Sequence, residues 1–204
     1  MDRIRTSDTR LTALHRRSAA VLIGALLLAG ASLASCTARP VKPDLGEARY
    51  DSQGRLLIPS DYREWVYLSS GLDMSYRPRT AASPQHSFGN VFVPKAAYRS
   101  YVKNGVWPDK TVLILEHRAG ATDGSINKAG FFQSGSALGV EAHVKDTSRF
   151  PGGWAFFVSD GRSPGEIVAR SEECYSCHET NGARDTTFVQ FYPTIAPPKT
   201  NDGV

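Results

Sequence analysis

Cys174, Cys177 and His178 stand together in the run Cys174-Tyr175-Ser176-Cys177-His178, 26 residues before the C-terminus. Two thiols at this spacing can bond the two vinyl-derived carbons on one edge of a haem, and the adjacent histidine can then reach the iron as an axial ligand. On a helix these positions are i, i+3 and i+4, so all three groups share one face. The same run would serve a thioredoxin-like redox pair in a βαβ context, or half of a zinc site beside further thiols or a pair of histidines. The chain offers neither setting. The run reads as the attachment site of one covalent haem c, with His178 as the metal ligand.

What lies opposite His178 decides the iron chemistry. Small electron carriers with His/Met ligation place the attachment motif early and the methionine far downstream, whereas no Met or His follows His178 here. Upstream candidates for a sixth ligand are Met74, His86, His117 and His143, each with a surface or packing role as the alternative. A vacant or water-occupied sixth position is the leading reading, and such a site binds small ligands such as NO.

The start of the chain supplies the compartment. Arg3, Arg5, Arg10, Arg16 and Arg17 precede a short apolar run from Ala19 to Ala29, and no charged residue follows until Arg39. This is the layout of an export signal over residues 1–35. It ends in Leu33-Ala34-Ser35-Cys36, which resembles a bacterial lipobox with Cys36 as the lipidated mature N-terminus; an ordinary signal peptide and an uncleaved anchor are the alternatives. The three cysteines are then spent, one on lipid and two on haem, with none left for a disulfide. Both uses place the protein in the bacterial cell envelope, periplasmic or otherwise extracytoplasmic and lipid-anchored to a membrane.

Without the five leader arginines and two leader aspartates, 24 basic and 20 acidic residues become 19 and 18, and the net charge falls from +4 to +1. Whole-chain basicity is therefore no argument for a nucleic-acid partner. Residues 36–56, rich in Pro, Gly and charge, suit a tether. A haem domain follows over 57–195, then a tail over 196–204.

Within that domain the pattern predicts a mainly β (α+β) fold, an antiparallel sheet with a few short helices, one carrying the attachment motif near the C-terminus. Ser60 or Asp61 caps a short helix running into Glu64-Trp65-Val66-Tyr67-Leu68, followed by a polar loop from Ser69 to Pro84. Strands are expected at Phe88 to Val93, Thr111 to Glu116, Gly130 to Ser134, Val140 to Lys145 and Trp154 to Ser159. Pro94 opens a helix to Lys103 closed by Asn104-Gly105. A second helix runs from Glu166 to about Glu179, and Phe188 to Pro193 is extended. In the strand at 140–145, Val140, Ala142 and Val144 share one face while Glu141, His143 and Lys145 share the other. Phe131, Phe132, Phe156 and Phe157 are candidates to line a pocket, with core packing as the alternative.

From about Tyr50 to Thr194 the chain resembles the cytochrome P-460 family, which includes the cytochrome c′-beta proteins. The resemblance runs through Leu57-Ile58-Pro59, Tyr62-Arg63-Glu64-Trp65-Val66, Val91-Phe92-Val93 with Ala97-Tyr98, and Gly105 followed by Asp109-Lys110-Thr111-Val112. It continues through Val140 to Asp146, Arg149-Phe150, Gly153 to Phe157, the Cys174/Cys177/His178 run and Phe191-Tyr192-Pro193. It implies a β-rich, usually homodimeric fold with a c-type haem, a proximal histidine and a distal side without a protein ligand. It places Glu141 where the family has a distal carboxylate, a catalytic proton-relay group facing bound ligand; a solvated strand Glu, or one paired with Lys145, is the alternative. The lysine that crosslinks to haem in the hydroxylamine-oxidising members falls at Leu115, as in the uncrosslinked c′-beta branch. Lys110 lies in the turn, at an odd offset that puts it on the other strand face.

Three functions follow from these expectations: an exported haem protein binding NO or related small nitrogen ligands, an oxidoreductase acting on hydroxylamine or NO, and an electron-transfer cytochrome. A redox partner protein accompanies the second and third.

Overall fold

The computed structural model describes residues 46–75 and 85–195. The leader over 1–35, the lipidation position Cys36, the first part of the tether and the tail from 196 lie outside the described residues. Among the described residues, no helix is long and apolar enough to cross a membrane.

The domain is built on a six-stranded antiparallel sheet in which every strand pairs with its neighbour in sequence. Its strands are β3 (Val66–Leu72), β4 (Ser87–Val93), β5 (Val112–Ala121), β6 (Phe132–Lys145), β7 (Trp154–Ser159) and β8 (Glu166–Ile167). A two-stranded ribbon, β1 (Arg49–Tyr50) with β2 (Leu56–Leu57), precedes it. Among the described residues the α-helices are α1 (Lys95–Asn104) between β4 and β5, and α2 (Glu173–Asn181), which carries both motif cysteines and His178. A mainly β fold with antiparallel sheet and few helices is thus what the chain adopts. α1 ends as its sequence requires: Gly105 sits at φ 73° and its N–H donates to the Tyr101 carbonyl at 2.7 Å.

Period-2 alternation splits the sheet into two chemically different faces. Val112, Ile114, Val140, Ala142, Val144, Ala155 and Phe157 form a core on one face with Leu56 and Tyr62. Completely burying each of the Val, Ile, Leu and Phe side chains contributes about 1.5–3 kcal/mol. The same face buries one carboxylate: Glu116, 2 % exposed, accepts hydrogen bonds from the Tyr62 hydroxyl at 2.8 Å, the Arg118 guanidinium at 3.1 Å and both Nε and Nη2 of Arg63. Burial pushes its pKa up, but the donors from Arg118, Arg63 and Tyr62 outweigh burial and hold it below the usual value. A second cluster lies on the other face, where Ala97 and Tyr101 of α1 cover Val93, Leu113 and Trp154, joined by Leu68, Trp107 and Tyr192.

Four local expectations differ in the structure, two of them because long-range pairing wins. The helix after Asp61 stops after one 3-10 turn, Tyr62–Glu64, because the β-branched and aromatic residues that follow pair as β3, with Val66 opposite Val93. The supposed loop therefore begins after Leu72. The helix expected from Glu166 starts at Glu173: Gly165 exchanges both backbone hydrogen bonds with Leu56, and Ile167 pairs with Phe157, so this stretch closes the sheet edge. The extended segment near Phe191 is a 3-10 turn, Val189–Phe191. The strands expected at 130–134 and 140–145 are one strand, β6, with a register shift opposite His117 and Arg118.

Candidate functional site

Antiparallel register aligns the residues of the second face in rows across the sheet. One row reads Val91, Leu115, Glu141, Val158; the next toward α1 reads Leu113, His143, Phe156. On the other side lies Gly89, His117, Gly139. His143 and Phe156 are buried under α2, whereas Val91, Leu115, His117 and Glu141 are half-buried and Val158 is exposed. The outcome is an apolar floor of Val91, Leu115 and Val158 with one carboxylate and one imidazole set in it. Gly89 permits the Leu115 conformation, since a Cβ there would stand 3.1 Å from Leu115 Cδ1.

α2 places the motif at the edge of this floor. The His178 ring packs against Phe156 at 4.6 Å, Phe188 at 4.2 Å and, edge-on, His143 at 4.9 Å between centroids. Its Nδ1 is 2.7 Å from the Thr186 carbonyl oxygen. A carbonyl only accepts, so Nδ1 carries the hydrogen and the Nε2 lone pair of the neutral ring is the one available to a metal. Burial lowers the His178 pKa against the opposing pull of Thr186 and Glu141, and this favours that neutral form. Tyr175, on the buried side of α2, anchors the helix by accepting from the Phe156 N–H at 3.3 Å and donating to the Val168 carbonyl at 3.2 Å. Cys174 and Cys177 are free, partly buried thiols; burial and then the nearby Glu141 charge push the Cys174 thiol up.

Glu141 does not pair with Lys145. Its Oε1 accepts from His117 Nε2 at 2.9 Å, while Lys145 Nζ lies 2.5 Å from Asp185 Oδ2. The charge of Glu141 is nonetheless felt at Cys174 and His178, which brings the carboxylate near that thiol and the imidazole.

The four upstream candidates for an iron ligand stand in four different settings, and His143 Nε2 is buried without a hydrogen-bond partner. His86 donates from Nδ1 to Asp73 at 2.5 Å and rests on Phe131. His117 is held by Glu141. His143 lies beside the His178 ring rather than across from it, stacked on Phe156 with an interplanar angle of 15°, and burial holds it well below the usual histidine range. Met74 is exposed. Of the four phenylalanines, Phe156 lines the site, Phe157 belongs to the opposite core, and Phe131 and Phe132 are exposed. Lys110, at φ 68°, turns to Asp146 at 2.5 Å and Ser148 at 3.0 Å, away from the floor. Sequence reasoning missed Thr186 as the partner of His178 and His117 as the partner of Glu141. The second was within reach, because His117 is two residues from Leu115 and so shares its face.

The donor set suits a covalently attached haem: two thiols outside any disulfide and an imidazole with a directed Nε2 lone pair share one helix beside an apolar floor. Among known families, the model described as cytochrome P460 matches residues 59–189. No curated protein matches the chain.

Proposed function

The chain belongs to the cytochrome P460 family, a haem-binding family, and on that premise we propose that it is a c-type monohaem protein with an open distal side that binds NO or related small nitrogen ligands. Cys174 and Cys177 hold the haem and His178 ligates its iron. When bound, the haem supplies an open coordination position and a one-electron couple. The observation that carries the reading is Leu115. Where the resemblance expects a crosslinking lysine, an aliphatic side chain stands directly opposite Glu141 and Val91, and it keeps that part of the floor apolar.

An absorption spectrum of the purified holoprotein, ferric and ferrous, with and without NO, tests this. Ordinary high-spin haem c bands that change on adding NO are expected. A ferrous maximum at the P-460 position, or a lysine-haem adduct by mass spectrometry, overturns it, and a low-spin six-coordinate spectrum speaks for an electron carrier.

The Glu141–His117 pair favours a second reading, oxidation of hydroxylamine or NO. A carboxylate at the site can accept a substrate proton, and the imidazole behind it can pass that proton on. Turnover of hydroxylamine with an artificial electron acceptor separates this reading from ligand binding alone. It also calls for a redox partner protein.

The proposal extends to the cell. The leader pattern and Cys36 support export and lipid anchoring to a membrane in the bacterial envelope, and the family resemblance supports a homodimer. Mass spectrometry of the mature N-terminus is expected to find diacylglyceryl-modified Cys36; a free cysteine there excludes the anchor.

A further inference from the structure

Asp185 and Thr186 are consecutive non-glycine residues in the left-handed region, at φ 52° and 56°. For a β-branched residue such as Thr this conformation is a genuine outlier, and it persists only where surrounding structure over-determines it. The surroundings here do so from three sides. Lys145 Nζ lies 2.5 Å from Asp185 Oδ2 and also donates to the Trp107 carbonyl at 2.8 Å. The Trp154 indole donates to Asp185 Oδ1 at 3.3 Å, and the Trp107 indole donates to Thr187 Oγ1 at 2.9 Å. Thr187 closes the turn by exchanging backbone hydrogen bonds with Arg184, its N–H reaching the Arg184 carbonyl at 2.9 Å. Both members of the ion pair are largely buried, with side chains 15 % and 23 % exposed for Lys145 and Asp185. One group gains from this strained turn: the Thr186 carbonyl, which receives the hydrogen from His178 Nδ1 at 2.7 Å.

We propose that Lys145 and Asp185 are positioning residues that lock the Asp185-Thr186 turn and thereby set the orientation, tautomer and donor strength of the His178 imidazole. They act through Thr186 and touch neither thiol. A hydrogen bond from Nδ1 increases the electron donation of a ligating histidine, so the lock stabilises the ferric over the ferrous state and strengthens the iron–histidine bond. The inference rests on His178 being the iron ligand proposed above.

The test uses the holoprotein with Asp185→Asn, which keeps an acceptor for Trp154 but removes the charge, and Lys145→Met. Both are expected to raise the midpoint potential and lower the iron–histidine stretching frequency of the ferrous protein, with covalent haem content unchanged. Lys145→Arg, which keeps the charge, is expected to retain most of the wild-type potential. Thr186→Gly added to Lys145→Met is expected to bring the potential part of the way back, because glycine takes positive φ without needing the lock. Wild-type potential and frequency in Asp185→Asn overturn the proposal, and so does a shift equally large in Lys145→Arg. An iron–histidine band absent from the wild-type protein itself, or unaffected by His178→Gly, overturns the ligand assignment instead. The two failures are therefore distinguishable.

Discussion

His117 Nε2 stands 2.9 Å from Glu141 Oε1, although the residue directly opposite Glu141 on β5 is Leu115. The pair is a cross-strand diagonal, a separation that long side chains can span. Leu115 thus leaves the carboxylate to be held by the imidazole, with the Glu141 side chain still 47 % exposed. Glu141→Gln is expected to leave haem content intact and to alter NO association and release rates in stopped-flow measurements. Where hydroxylamine is oxidised, the same replacement removes a general base, a loss of about 10²–10⁴-fold in turnover. His117→Ala, which frees the carboxylate without removing it, is expected to cost less. Unchanged kinetics in both variants would remove the pair from the chemistry.

The Glu116 network is structural, and its replacement should be felt as stability. Glu116→Ala strands Tyr62, Arg118 and the inner part of Arg63 without their acceptor. Removing one partner of a buried ion pair costs about 3–5 kcal/mol; the half-exposed Arg63 recovers water, which places the expectation at the lower end. Chemical denaturation checks it. The sign with pH follows from the depressed Glu116 pKa: its contribution is present above the unfolded-state value and is lost as pH falls through the lower folded one. The variant is therefore expected to show a weaker acid dependence than the wild-type protein.

The chemistry of the site was more legible in the sequence than its supports. Cys174, Cys177 and His178 declare themselves by spacing, and Glu141, His143 and Lys145 by alternation along one strand. β3 and the start of α2 were obscured because the cap at Asp61 and the helix expected from Glu166 lost to long-range pairing, of Val66 with Val93 and of Gly165 with Leu56. Nothing local marks Thr186 for positive φ. Its conformation is imposed by Lys145, Trp154 and Trp107, which are far away in sequence, and pattern reading does not see forces of that kind.

Tyr50 and Tyr62 are expected to behave oppositely on removal of their hydroxyls. Burial pushes both pKa values up to about 12. The Tyr62 hydroxyl donates to Glu116, whereas that of Tyr50 is buried without a hydrogen-bond partner. Tyr62→Phe should cost about 1.5–3 kcal/mol at neutral pH, because its acceptor is charged, and Tyr50→Phe should be neutral or stabilising, since an unsatisfied buried hydroxyl carries a desolvation penalty. In alkali the sign is common to both. With the folded pKa raised above the unfolded value of 10.0, stability is lost as pH rises from there through about 12. Each Phe variant should flatten the loss of stability over that window, measured by denaturation at a series of pH values.

Gly182 gives the sharpest test of the geometry around His178. A Cβ at this position would stand 2.6 Å from the His178 carbonyl oxygen and 2.8 Å and 2.9 Å from the Thr186 carbonyl carbon and Cα. All three are backbone atoms, so no side chain can swing aside, and the end of α2 must separate from the turn that holds the His178 ring. Overpacking of this kind costs about 1–3 kcal/mol. Gly182→Ala is therefore expected to lower stability and, by pulling Thr186 from Nδ1, to change the iron–histidine signature. Gly105→Ala is the control. It has open space around its Cβ position but φ 73°, so it should lose about 1–2 kcal/mol from backbone strain alone and leave the haem spectrum as it was. Equal spectra in the two variants would mean that contact between Gly182 and Thr186 does not transmit to His178.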